Sequence, residues 1–209
     1  MQHTPACILF LSIAVILVGR SLFSGGLVIC SADAPDAWIH MWAFWRSKYA
    51  LLGLDHSYLF SHTLSFPGVV REPIAVFDPL LPLLSVPLQF IFADCAIAYN
   101  VLVFLGLFFT GLAGYLLGLT FGRGRSTAVV AGVIIAANPF TYRLIAGGYA
   151  EYAWWGLLPL SIALYQSYLR QPSRPLLAGY IGSVTALLLM SIYCASYFTV
   201  FAAGSLLFS

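Results

Sequence analysis

Stretches without a single charged side chain alternate with short polar joints along this chain. Residues 6–22 are apolar except for Arg20, whose long stem can carry its charge to an interface. Residues 95–122, 126–142, 152–169 and 175–209 hold no Asp, Glu, Lys or Arg. A helix needs about 20 mostly apolar residues to cross a bilayer. The pattern therefore predicts spanning helices over about 6–22, 97–121, 126–142, 152–169 and 175–192, and an incomplete one over 195–209. The joint SIYCASYF, residues 191–198, reads as a hairpin tip. The last apolar run has no polar flank, so Ser209 reads as an interruption of a larger bundle. The fold class that follows is all-α: a polytopic transmembrane helix bundle, one membrane domain over 1–209.

The stretch 24–96 breaks the pattern. It carries six of the seven acidic residues, with His40, His56 and His62. Two amphipathic or interrupted segments inside it read as interfacial helices. In 36–54, Trp38, Met41, Trp42, Trp45, Tyr49 and Leu52 recur at i, i+3, i+4, i+7 spacing and form one stripe. Asp36, His40 and Ser47 fall on another face, and Arg46 and Lys48 flank the stripe. Such a helix lies in the headgroup layer, aromatics buried and charges toward water or phosphate. The second segment, 78–92, is apolar but short, and Pro79, Pro82 and Pro87 interrupt it. A proline inside a helix costs about 3 kcal/mol. This segment reads as interfacial or re-entrant, with Asp78 as N-cap and Pro79 at the first helical position.

Charge sets a direction. Arg123 and Arg125 occupy one short loop, and Arg170 and Arg174 the next but one. Basic short loops mark the cytoplasmic side, and the two spans between them satisfy parity. The first helix then runs outward from a cytoplasmic N-terminus in the cytoplasmic (inner) membrane. Both 24–96 and the joint at 141–151 are external; if 78–92 spans instead, the N-terminus moves outside. A signal peptide competes for 6–22, but MQHTP has no Lys or Arg, and Pro35 after SADA makes a poor cleavage site.

Composition supports the membrane reading. The chain is 61% hydrophobic and 8% charged, with a mean hydropathy of +0.94, where a soluble domain is about 25% charged. The net charge of +2 comes without a basic run, so nothing points to nucleic acid. Cys7, Cys30, Cys95 and Cys194 form neither a CxxC pair nor a disulfide framework and read as small apolar packing residues. His56 and His62 lack the spacing of a helical metal pair.

Candidate chemistry begins at SADAPDAWIHMWAFWR, residues 31–46. Asp33 suits an N-cap, with Pro35 in the first turn, and Asp36 would complete a capping-box-like pair at the positive end of the helix dipole. Asp36 also sits at the membrane surface one turn before His40. That place suits a base or metal-binding carboxylate acting on a lipid-linked substrate. Glu151 lies at the outer end of a spanning helix with no evident capping role, which makes it a functional candidate. Arg143 is either an interfacial anchor or a phosphate partner. His40 reads first as a polar interfacial residue and only second as a ligand or substrate contact. Asn100 reads as a bond between helices.

These residues resemble the amino-terminal part of the GT-C superfamily of membrane glycosyltransferases. The resemblance rests on ordered pieces: DAWIHMWAFW, with Asp36 followed by Trp42 and Trp45; FPGV at 66–69; AYNVLVFLGLFFTGLAGYLLG at 98–118; and VVAGVIIAANPFTYRLIAGGYAEYAWWGLLPL at 129–160. It covers about 31–200. It implies a first external loop with two interfacial helices, a first-loop Asp acting as base or metal ligand, and a second acid in the next external loop. Those roles carry over to Asp36 and Glu151. It further implies a polyprenyl-phosphate sugar donor, membrane lipids and an unidentified acceptor as partners, and a divalent cation (Mg or Mn) held by Asp36 and Glu151. Asp33, His40, Arg143 and Tyr149 become the candidates for substrate contact. Two departures stand out. Tyr149 occupies a position where a His is common, and Pro35 one where a Gly is common.

Two other readings remain. A transporter would place ionisable residues at mid-membrane and show an internal repeat; here the acids sit at segment ends. A non-catalytic membrane subunit, or an inactive relative, would fit the abrupt end and the missing Gly-His pair.

Overall fold

The computed structural model describes residues 3–23, 35–53, 78–122 and 124–207. All regular structure in them is helical. In chain order the elements are α1 (Thr4–Phe23), α2 (Pro35–Leu51), α3 (Leu80–Phe92), α4 (Cys95–Thr120), α5 (Arg125–Ala136) and α6 (Pro139–Ala146). A 3-10 turn (Ala150–Trp154) leads into α7 (Leu157–Arg170), α8 (Arg174–Met190) and α9 (Ile192–Leu207). Thr4–Phe23, Cys95–Thr120 and Arg125–Ala146 are long and apolar enough to cross a membrane.

The longest helix, α4, is the centre of the bundle. Small residues let its neighbours approach its backbone closely. Gly114 lies against Gly132 of α5, and a Cβ on Gly118 would sit 2.6 Å from Ala128 Cα. Phe10 of α1 fills the seat left by Gly111 and Gly132 and is 1% exposed. Two polar contacts fix α1 antiparallel to α4. His3 Nδ1 meets the Tyr115 hydroxyl at 2.8 Å at one end, and Asn100 Nδ2 donates to the Ser21 carbonyl at 3.3 Å at the other. Arg125 and Arg174 begin helices at the His3 end, and Arg170 there donates to the Thr120 carbonyl. Among the described residues one end thus carries arginines and no acid, here called the arginine end; the opposite, acidic end carries Asp36, Asp78, Asp94 and Glu151 together with Arg20, Arg46 and Lys48.

At the acidic end α2 and α3 pack as a pair. Gln89 Nε2 donates to the Phe44 carbonyl and to Ser85 Oγ, each at 2.8 Å, and Lys48 Nζ donates to the Gln89 carbonyl at 3.2 Å. Thirteen residues make α3 about 20 Å long, short of the ~30 Å hydrocarbon core, as the proline-broken segment predicts.

Several boundaries differ from the pattern-based expectation. The segment 126–142 is two helices, because a residue before proline disfavours the helical region. Asn138 there turns extended, caps α6 by accepting from Phe140 N at 2.9 Å, and leaves Pro139 at the first position. Asp78 is not the cap of α3: the helix starts at Leu80 with Pro79 before it and no side-chain cap. Asp94, by contrast, caps α4 through Ala96 N at 2.6 Å. The joint at 191–198 shrinks to one extended residue, Ser191, and α9 is helical from Ile192. The rings of Tyr180 and Phe198 lie 6.4 Å apart, where a straight helix would separate them by about 27 Å. The two helices thus fold back on each other.

The face of α2 is also corrected. Ala37, His40, Met41, Phe44 and Ser47 point into the protein, while Trp38 and Trp45 are 65% and 43% exposed. The tryptophans face outward, where a headgroup layer would receive them, but His40 and Arg46 turn inward rather than toward water.

A candidate acid–base and cation site

Three stretches far apart in the chain converge at the acidic end. The first is the start of α2. It carries Asp36 and, one turn on, His40, on the face that packs against α4: the His40 ring lies 6.2 Å from the Tyr99 ring. The second is the entry to α3. Relieved of capping, the Asp78 carboxylate turns to His40, with Oδ2 3.1 Å from Nδ1. The third is the 3-10 turn after α6, where Glu151 Oε2 lies 3.2 Å from His40 Nε2.

The backbone around Glu151 is held by two devices. Gly148 adopts φ +97°, a region open to glycine without strain, and its carbonyl accepts from the Tyr99 hydroxyl at 3.2 Å. Beyond the turn, Thr110 Oγ1 donates to the Ala153 carbonyl at 2.7 Å and accepts from Gly156 N at 2.8 Å. A Cβ on Gly156 would press on Thr110 Cα. The acidic turn is thus bolted to α4 on both sides.

His40 is therefore clamped between two carboxylates. Burial alone would lower its pKa, but the contacts with Asp78 and Glu151 outweigh that and raise it from 6.5 to about 9. The imidazole is a cation at neutral pH. Neither contact has the in-line geometry of a hydrogen bond, so Asp78 Oδ2 and Glu151 Oε2 are buried without an aligned donor.

Asp36, His40, Asp78, Tyr149 and Glu151 line one cavity of about 230 Å³, which Ser191 and Tyr193 close from the α8–α9 joint. The Tyr149 phenol, 40% exposed, faces the Asp36 carboxylate, whose hydrogen bond and negative charge raise the phenol's pKa. Among the described residues no Lys or Arg lines the cavity. Three carboxylates thus face one imidazolium.

No family model, curated protein or solved structure matches the chain.

Of the residues singled out from sequence, Asp36, His40, Tyr149 and Glu151 share this cavity. Arg143 does not line it; the side chain is exposed near the end of α6. Asp33, Cys30, His56, His62 and the 66–69 turn lie outside the described residues. The geometry also regroups the expected cation ligands. One ligand atom from each of His40, Asp78 and Glu151 lies within 4.8 Å of the others, and Asp36 is not in that group. With its proton displaced on binding, the imidazole and two carboxylates, whose buried oxygens lack aligned donors, suit a divalent cation. Sequence reasoning missed Asp78, Ser191 and Tyr193. The usable signal for Asp78 was the scarcity of acids: with seven in the chain, each outside a clear cap deserves a chemical role as an alternative.

Proposed function

We propose that this protein is a membrane glycosyltransferase, or the amino-terminal part of one, that takes a sugar from a polyprenyl-phosphate donor. The observation that carries the reading is the convergence of Asp36 of α2 and Glu151 of the 3-10 turn, far apart in the chain, on one cavity. Asp36 is the base. It is the lining carboxylate left out of the His40 clamp, so it is the one positioned to receive a proton. The acceptor hydroxyl oxygen bonds to the anomeric carbon, its proton passes to Asp36, and the bond from the sugar to the phosphate oxygen breaks. Polyprenyl phosphate leaves with the electron pair.

The departing phosphate needs positive charge that the described lining lacks. A divalent cation fits His40, Asp78 and Glu151 and would supply that charge when bound. Tyr149, beside Asp36, orients the acceptor by hydrogen bonding. The arginine end faces the cytoplasm and the acidic end faces outward, in the cytoplasmic membrane.

The test is donor consumption. Membranes containing the longest form that the gene encodes receive polyprenyl-phosphate sugars, and wild type is compared with Asp36→Asn. Loss of consumption by about 10²–10⁴-fold in the inserted variant is the expected result. Equal consumption by both would remove Asp36 from the chemistry. No consumption by either would turn the reading to a non-catalytic membrane subunit.

A further inference from the structure

Among the described residues the acidic cavity holds three hydroxyl groups of the protein's own, from Tyr149, Ser191 and Tyr193. They differ in what they face. Ser191 is 1% exposed, and its hydroxyl is hydrogen-bonded with Cys194. The Tyr149 hydroxyl is hydrogen-bonded with the Asp36 carboxylate. Asp36 stands outside the His40–Asp78–Glu151 cluster. A hydroxyl of the protein therefore sits on the carboxylate that the clamp leaves out.

The backbone fixes the phenol there. Tyr149 follows Gly148, at φ +97°, and its amide donates to the Leu144 carbonyl at 3.1 Å. Its ring meets Tyr152 edge-on, at 6.1 Å and 87°. Held from behind and 40% exposed, the phenol is presented to whatever enters the cavity. A hydroxyl within hydrogen-bond reach of a carboxylate is the arrangement of a nucleophile beside its base. Size narrows the ligand. The cavity measures about 230 Å³, below the roughly 300–1,000 Å³ of sites for drug-sized molecules. That suits one sugar ring and leaves the rest of a larger molecule outside.

We propose that Tyr149 is a self-glycosylation site, whose phenol takes the sugar from the polyprenyl-phosphate donor when no other acceptor fills the cavity. The proposal rests on the transferase reading for the donor. The phenol oxygen bonds to the anomeric carbon, its proton passes to Asp36, and the bond from the anomeric carbon to the phosphate oxygen breaks. Polyprenyl phosphate leaves with the electron pair. The product is one O-linked sugar per chain, because the phenol is consumed. That sugar stays in the cavity and closes it to a further donor. An acceptor hydroxyl inserted between Tyr149 and Asp36 takes the sugar instead, so a supply of acceptor protects the chain from its own chemistry.

The experiment follows the sugar into the protein. The full chain in nanodiscs receives polyprenyl phosphates bearing radiolabelled hexoses or pentoses, with no acceptor added. Label retained on the protein is counted per chain and mapped by peptide mass spectrometry. Label that levels off at no more than one sugar per chain, on Tyr149, is the expected result. Asp36→Asn, which keeps the phenol, slows labelling about 10²–10⁴-fold. Tyr149→Phe, which removes one oxygen, takes up no label, and its melting temperature reports that it is folded. Label on Ser191 or Tyr193, or label that persists in Tyr149→Phe, would overturn the proposal. Donor consumed by wild type in membranes, with no sugar on the purified chain, would overturn it too and leave the transferase reading standing. Donor untouched in both assays would remove the two together.

Discussion

At the scale of residues the site is an arrangement of opposed charges around His40. Its stabilising contribution follows from the raised pKa. An imidazole near pKa 9 in the folded state and 6.5 when unfolded contributes stability that is complete below about pH 6.5 and lost as pH rises through 9. The groups facing it are Asp78, Glu151, the Tyr99 ring and, one turn away, Asp36. In chelator, the melting temperature of wild type is therefore expected to fall between pH 7 and pH 10. His40→Gln should melt lower at pH 7 and lose most of that slope; an unchanged slope would place the titration elsewhere. A cation at the same cluster makes a separate prediction. Manganese should raise the melting temperature of wild type and leave Asp78→Asn and Glu151→Gln unmoved, as binding to the folded state alone requires.

The residues that sequence made visible were those whose chemistry is scarce. Asp36, His40 and Glu151 were legible because ionisable side chains are few in so apolar a chain. Asp78 was not. Its local grammar, an acid before Pro79 and an apolar run, matches a helix cap, and only the tertiary approach of α2 redirects it. Arg143 shows the converse. The sequence reading placed it in an external loop, whereas it lies in α6, and the direction of one exposed side chain is not encoded in spacing.

At the scale of elements, helix contacts are set by missing side chains and by single hydroxyls. Gly132→Ala would push a methyl into Phe10 and the Gly111 carbonyl. It is expected to cost about 1–3 kcal/mol, the usual price of overpacking, read from denaturant unfolding in detergent. Thr110→Val removes a hydroxyl that serves both the Ala153 carbonyl and the Gly156 amide. Leaving them unpaired is expected to cost about 1–3 kcal/mol and to loosen the acidic turn, with activity falling along with stability. The helices themselves were legible from uncharged runs. Their breaks were less so: Pro139 announces the α5–α6 interruption, whereas the single extended residue Ser191 carries no such mark.

At the scale of the whole molecule the decisive property is polarity from end to end. Among the described residues every acid lies at one end, shared there with Arg20, Arg46 and Lys48, while Arg125, Arg170 and Arg174 stand at the other end without an acid. Orientation can be read with cysteines placed in exposed turns of a cysteine-free background. Gly53→Cys is expected to react with an impermeant maleimide on intact cells, and Ser173→Cys only after permeabilisation. Reaction of both from the same side would break the topology. This end-to-end order was legible, because the short basic loops and the acidic joints alternate along the chain.

The clamp on His40 also has a history in time. Its three members are made far apart, His40 first, Asp78 next and Glu151 last. At roughly 5–20 residues per second of synthesis, His40 waits on the order of ten seconds for its final partner. During that interval the nascent chain carries a buried-to-be imidazole and acids with no fixed neighbours. The clamp closes only when the turn after α6 arrives and Thr110 catches it, and the chamber only when Ser191 and Tyr193 follow. Completion of the site is thus a late event of insertion, and a chain stalled before Glu151 would hold every earlier helix yet no finished chamber.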